Sequence, residues 1–400
     1  MHENLTWTSD EHEKFRMKIR EFAEAEVAPY AAQIDRDQVF PSQILPRLTE
    51  LGLMGMQVDK KYGGSYTDTL TYAIAVEELS RVCGSTGITV AAHNSLGNYP
   101  IYKFGTEEQK KKYLPEITSG GKLAAFGLTE PGAGSDAGGT KTFAQKTDAG
   151  YKVNGTKCWI TSAGISSTVV FTARTSKEGG TKGISSFIIK HGTPGFSSGK
   201  KENKLGLRGS DTRFLHFDDV IVPESDRLGE EGHGFKQFMI TLDGGRVSIA
   251  AMALGLAQGA FDVAVRYASL QPFEGGHLAD QQGIGFKLAD MATQIQAARH
   301  LVYHSAVLKD SGKRFSKESA MAKLYAAEVG TYVCWTAIGI LGEVGLTDKF
   351  PVERMWRDVK LDEIGEGTSE VQRLVISRLI IKEATDENSM FGFPKDWKFE

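Results

Sequence analysis

Cysteine is scarce in this chain: there are three in 400 residues. Cys83, Cys158 and Cys334 stand far apart and form no Cys-x-x-Cys pair, so neither a disulfide framework nor a zinc site is expected. A reduced, cytoplasmic setting is the expectation. An excess of charge of one sign is missing as well. Lys and Arg number 47 against 50 Asp and Glu, for a net charge of −3, which speaks against nucleic acid or an anionic membrane as partner. No apolar run approaches the ~20 residues of a membrane helix, and Met1-His2-Glu3-Asn4 lacks the basic-then-apolar layout of a signal peptide. Regular alternation of strand and helix is also absent, which argues against a doubly wound sheet.

Glycine, in contrast, is abundant at 45 residues, above the usual ~7%, and it clusters in loops, as backbone packed against a ligand requires. Three zones follow one another. Residues 1–121 read as helical, with patterns over Asp10–Ala28, Pro41–Leu53, Leu70–Val82 and Thr106–Leu114; Asp10 with Glu13 resembles a capping box. Residues 122–232 read as a β-domain, a barrel or sandwich. Its short runs are Tyr151–Val153, Cys158–Thr161, Thr168–Ala173, Ile184–Ile189 and Arg213–Phe217, with turns at Asn154-Gly155, Gly179-Gly180 and Pro194-Gly195. Residues 233–400 read as a helical bundle of four long helices, Gly234–Ser269, Gln281–Ser311, Lys317–Leu341 and Val352–Ile381, followed by a tail without period around Pro394, Trp397 and Phe399. The expected class is α+β, with the β-domain between two helical ones.

Four segments carry chemistry. In Glu363-Ile364-Gly365-Glu366-Gly367-Thr368-Ser369-Glu370 a carboxylate stands between glycines at the mouth of the apolar helix Val371–Ile381. A base beside an apolar slot has its pKa raised towards neutrality; equally, Thr368 or Ser369 caps that helix with Glu370 in its first turn. Phe126 to Asp136 (FGLTEPGAGSD) exposes backbone N–H groups and the hydroxyls of Thr129 and Ser135, which suits a flavin ring or a pyrophosphate, although a structural turn explains it as well. Trp159-Ile160-Thr161 lies on a predicted strand, where an indole can cover a flat ring or fill a core. In Leu242-Asp243-Gly244-Gly245-Arg246 two glycines weaken a helix by roughly 1 kcal/mol each, which makes sense if a ligand lies there. Asp243 and Arg246 read equally well as a solvated pair.

Taken together, LTEPGAGSD, KCWIT, LDGGR and EGTSEVQRLVISR, in this order and spacing, resemble the acyl-CoA dehydrogenase family over nearly the whole chain, with short-chain and butyryl-CoA dehydrogenases the nearest in pattern. The resemblance implies an N-terminal helical domain, a middle β-domain and a C-terminal four-helix bundle, with FAD between them and a neighbouring subunit, usually in a homotetramer. It implies α,β-dehydrogenation of a short-chain acyl-CoA to a trans-2-enoyl-CoA. Glu366 would take the α-proton, the flavin N5 would accept the hydride, and an electron-transfer flavoprotein would accept the electrons. By position, Phe126, Leu128, Thr129, Trp159, Ile160 and Thr161 match the flavin ring, Ser135 the pyrophosphate and CoA, and Gln282, Thr368 and Glu370 further cofactor contacts. Asp243, Arg246, Gly367 and Arg378 match CoA or acyl contacts. A flavin oxidase or oxygenase, and a flavin-poor scaffold subunit, are the competing readings.

Three departures from the family pattern matter. Gly365 replaces the usual tyrosine before the base. Isovaleryl-CoA dehydrogenases share that glycine, but they carry their base at the position of Gly245, which cannot ionise here. The base is therefore assigned to Glu366, and a wider pocket that tolerates branched acyl groups is expected. Gln271 and Glu274 stand where an arginine and a phenylalanine usually meet the neighbour's FAD. Gly339 to Gly345 lacks the usual glutamine, and Glu343 adds a negative charge near a pyrophosphate position. These last two changes raise the expectation of weakly held FAD, or of a heteromer with a paralogue.

Overall fold

A computed structural model describes residues 7–385; the tail around Pro394, Trp397 and Phe399 lies outside the described residues. The first zone comprises α1 (Asp10–Phe22), α2 (Ala28–Asp37), α3 (Leu45–Glu50), α4 (Thr69–Ser80), α5 (Gly84–Ala92), α6 (Tyr99–Phe104) and α7 (Glu107–Thr118). The capping box sits one residue earlier than expected: Ser9 accepts from His12 N while the His12 ring accepts from Ser9 N. Nor does the chain stop at Ala28. It widens into a π-type turn at Ala23–Val27 and resumes as α2, because Pro29 falls in the first turn of α2 and removes no needed hydrogen bond. The helix expected over Pro41–Leu53 shortens to α3, ended by Gly52 in the left-handed region at φ 76°. Periodicity missed α5 because all its residues are buried and no polar stripe marks a turn.

The middle zone is one eight-stranded mixed sheet of β1 (Leu123–Gly127), β2 (Phe143–Thr147), β3 (Gly150–Thr161), β4 (Ser166–Arg174), β5 (Ile184–Lys190), β6 (Phe196–Lys201), β7 (Thr212–Val222) and β8 (Arg227–Leu228). The order is β6-β7-β3-β2-β4-β5-β8, with β1 parallel beside β4. Asn154-Gly155 is not the turn expected: Tyr151–Val153 and Cys158–Thr161 belong to one strand, and Gly155 makes a register shift against β7. Tyr151, Phe171, Phe187 and Phe217 fill the core under the sheet.

The last zone holds α8 (Gly234–Leu270), a short hairpin of β9 (Pro272–Phe273) and β10 (Gly276–His277), α9 (Gln282–Asp310), α10 (Ser316–Leu341), α11 (Val352–Val359) and α12 (Ser369–Ala384). The single helix expected over Val352–Ile381 is broken, because Glu366 and Gly367 adopt φ of 53° and 92° and no α-helix passes through that geometry. α8 packs closely on α4: a Cβ at Gly255 would stand 2.2 Å from the Glu77 carbonyl oxygen, and one at Gly259 would stand 2.1 Å from that of Arg81. Contrary to expectation, α8 and the segment Ser316–Leu346 are long and apolar enough to cross a membrane. However, 78% and 56% of their apolar windows are buried inside the fold. The face of α12 expected to be apolar is not covered by its own chain, since Leu374 and Ile381 are 51% and 62% exposed.

A buried ionic cluster joins the two helical zones. Arg16 of α1 reaches Glu78 of α4 at 3.0 Å, Arg299 of α9 reaches Glu77 at 3.0 Å, and Tyr303 donates to Glu77 at 2.5 Å. Burial works against the charge on Glu77, yet Arg299 and Arg16 hold its carboxyl below the ordinary value. Removing Arg299 would leave the buried Glu77 to share Arg16 with Glu78. Arg299→Ala is therefore expected to cost about 3–5 kcal/mol in urea denaturation; a loss below about 1 kcal/mol, the surface-pair range, would show the cluster to be dispensable.

Candidate active site

Glu366 lies in the turn between α11 and α12, in a backbone region that non-glycine residues avoid. Two buried side chains hold it there. Lys323 of α10 donates to the Gly367 carbonyl at 2.6 Å, and Gln372 of α12 donates to the Gly367 and Glu366 carbonyls at 2.8 and 3.3 Å. Thr368 caps α12, its hydroxyl accepting from Val371 N at 3.3 Å, while Glu370 is exposed in the first turn. Helix capping and an inward-facing carboxylate therefore coexist in this segment.

The carboxylate extends across α8. A Cβ on Gly245 would stand 2.3 Å from Glu366 Oε2 and 3.3 Å from Leu96. Glycine at 245 leaves the space that the carboxylate fills. Glu366 Oε2 is buried without a hydrogen-bond partner. Burial pushes its pKa up to about 7, against the opposing pull of Lys323 and Arg246. Burial likewise brings Lys323 down to about 8. Close by in sequence, the Asp362 carboxyl is fully buried, unbonded at both oxygens and raised well above its usual range, chiefly by burial.

The Asp243–Arg246 pair is not the solvated pair that spacing allowed. Arg246 is buried, donates to Asp243 at 2.5 Å and leaves its Nε without an acceptor. Ser316, at the start of α10, donates to the other Asp243 oxygen at 2.6 Å. The i,i+3 spacing is the same for a surface pair and a buried one, and only the packing of α10 on α8 decides between them.

On the sheet side, Lys157 organises the glycine loop from below. Its ammonium is buried and donates to the Leu128 carbonyl at 3.0 Å and to Glu130 at 2.7 Å. Glu130 in turn accepts from the backbone of Lys141 and Thr142. Burial opposes both charges: Lys157 falls to about 8, while Lys157 keeps Glu130 below its ordinary value. Thr129 is tied by its carbonyl to Cys158 N at 2.9 Å. The indole of Trp159 is 59% exposed, on a residue with φ 59°. Thr161 is half-buried and Ser135 is exposed.

The other predicted positions are not gathered with these. Phe126 stacks on Phe238 in the core, and Ile160 is buried in the sheet core, so only their main chains are available to a ligand. Gln282 is exposed at the start of α9 and Arg378 is exposed on α12. Gln271, Glu274 and Glu343 are exposed too. Sequence reasoning missed Lys323, Gln372, Lys157 and Leu96. The one signal for the two lysines was a charged residue at an inward register of an otherwise apolar helix or strand.

The residues present fit FAD. An exposed indole, the hydroxyls of Thr129, Thr161 and Ser135, and Gly132 and Gly134 with no other atom within 4 Å of a built Cβ leave a polar, open cradle. Known proteins place nearly the whole chain in one family. The family descriptions "Acyl-CoA dehydrogenase, N-terminal domain", "middle domain" and "C-terminal domain" match residues 9–121, 125–220 and 232–381. A short-chain specific acyl-CoA dehydrogenase of Clostridium acetobutylicum is 49% identical over 372 residues, covering 93% of this chain and 98% of that protein. The butyryl-CoA dehydrogenase of Megasphaera elsdenii superposes with a TM-score of 0.91 at 43% identity, covering 95% and 100% of the two chains. A chain from the structure of the electron transferring flavoprotein of Acidaminococcus fermentans gives 0.92 at 44% identity, covering 96% and 100%.

Lys157→Met would leave Glu130 buried without a counter-charge beneath the loop, held only by backbone N–H groups. It is expected to cost about 3–5 kcal/mol of stability and to lower the flavin retained per chain, measured by denaturation and by the ratio of visible to ultraviolet absorbance. Full flavin retention at unchanged stability would contradict this role.

Proposed function

The chain belongs to the acyl-CoA dehydrogenase family, and on that premise we propose that it converts a short-chain acyl-CoA, branched chains included, to the trans-2-enoyl-CoA with Glu366 as the base for the α-proton. As a member it is an FAD-dependent oxidoreductase. When bound, FAD supplies the hydride acceptor. One observation carries the assignment of the base: a carboxylate with one oxygen buried and unpaired, its pKa pushed up to about 7, set against a glycine of α8.

The chain's own residues account for the proton step. Near pH 7 a base with this pKa combines useful basicity with a substantial ionised fraction. Lys323 and Gln372 fix the turn, so the carboxylate is placed before substrate arrives. A buried oxygen with no internal partner is free to take a proton from carbon. A Cβ built on Gly365 would already touch Leu361 at 3.4 Å, so the branched-chain reading rests on the bulky side chain that glycine lacks at this position.

In this reading Leu128, Thr129, Trp159 and Thr161, with the main chains of Phe126 and Ile160, contact the flavin ring. Ser135, Thr368 and Glu370 contact the rest of the cofactor, and Gln282 serves a neighbouring subunit. Asp243, Arg246, Gly367 and Arg378 hold CoA or the acyl group. The division into 1–121, 122–232 and 233–400 follows the helical, β and helical zones. A cytoplasmic homotetramer passing electrons to an electron-transfer flavoprotein completes the proposal. The exposed apolar side chains Phe286, Trp335, Leu374 and Ile381 support the assembly, and the likeness to the Acidaminococcus chain supports the partner.

Glu366→Gln is expected to bind acyl-CoA but to lose flavin bleaching by about 10²–10⁴-fold; retained bleaching would remove Glu366 as the base. Because the ionised form acts, kcat/KM should rise as pH increases through about 7 and level off above it. A profile already flat from pH 5 would contradict that assignment. Gly245→Ala should displace the carboxylate and cut turnover about 100-fold, with the melting temperature little changed. Butyryl-, isobutyryl-, isovaleryl- and 2-methylbutyryl-CoA, titrated in turn, test the width of the pocket; failure of all three branched substrates while butyryl-CoA bleaches the flavin would rule out the branched-chain reading.

A further inference from the structure

A cavity of about 690 Å³ opens where α2, the end of α4, the middle of α8 and α11 meet the loop before β7. It shares no lining residue with the group around Glu366. Its volume suits a ligand of nucleotide size. Five arginines line it, and their partners divide them. Arg357 is paired with Asp35 and Glu353, and Arg81 with Glu24, Glu78 and Asp262. Arg36 is largely exposed beside Asp37. Arg208 and Arg354 make no direct ion pair among the described residues, although Arg354 pulls on the buried Asp358 carboxyl. Arg354 is buried and gives one hydrogen bond, to the Val82 carbonyl at 3.2 Å. Arg208 Nε is buried with no acceptor.

A guanidinium removed from water without acceptors is costly, and its planar fork matches phosphate oxygens. Val263 and Phe350 give the same cavity an apolar side. A half-buried Arg208 with one unpaired nitrogen and a buried Arg354 with a single hydrogen bond, beside an apolar wall, suit a ligand with phosphates at one end and a flat base at the other. We propose that this cavity binds a nucleoside diphosphate, with its phosphates on Arg208 and Arg354, as a second ligand site separate from the Glu366 cleft.

The FAD-loaded holoenzyme titrated with ADP by calorimetry tests this, with flavin absorbance and acyl-CoA turnover followed in parallel. ADP should bind without releasing flavin and without raising KM for acyl-CoA. Arg208→Gln should weaken binding about tenfold, as the loss of a charge-assisted hydrogen bond predicts. Ala32→Glu, at an exposed helix position lining the cavity, should abolish binding through charge and bulk, and both variants should keep normal turnover. The proposal is overturned if millimolar ADP does not bind, if it displaces FAD or competes with acyl-CoA, or if Ala32→Glu binds it as well as the unaltered protein does.

Discussion

A carboxylate oxygen buried without a partner is the constraint on which the rest of this structure turns. Burial disfavours its charge and carries the Glu366 pKa to about 7. Such a group cannot be left to find its own position, and the fold restrains it from three elements. α8 offers a glycine in place of a side chain, α10 supplies the Lys323 ammonium to the next carbonyl, and α12 returns Gln372 to the same turn. Two left-handed residues in succession are tolerated because these contacts over-determine them.

The larger architecture serves the same end by different means. α8 reaches the N-terminal helices through glycines that let backbone meet backbone, and the cluster of Arg16, Glu77, Arg299 and Tyr303 ties α1, α4 and α9 into one block. On the opposite side, the sheet holds its glycine loop with a buried Lys157–Glu130 pair instead of apolar contacts. Charge is used internally in both places, and in both each ion has a partner. Among the described residues of the site, Glu366 Oε2 and both oxygens of Asp362 are the exceptions, buried without a hydrogen bond.

The departures from family pattern fall into two groups. Gly365 lies beside the carboxylate, where a lost side chain changes the room available. Gln271, Glu274 and Glu343 are exposed, and Gln271 reaches only the carbonyl of the neighbouring Pro272 with its side chain.

Much of the fold was legible in the sequence because each zone has a period: long apolar repeats for α8, α9 and α10, and β-type runs between turn residues for the sheet. Elements buried on all sides, such as α5, carry no period and stayed hidden, and Asn154-Gly155 looked like a turn although neighbouring strands drew it into a bulge. The EGTSE segment showed a carboxylate among glycines, and that much was local chemistry. Whether the carboxylate faced water or the interior, whether Arg246 was solvated or buried, and which lysine came to Gly367 were decided by the packing of α10 and α12 against α8. Such contacts join residues tens of positions apart, and burial, which sets the pKa, exists only once those distant segments have closed over the side chain.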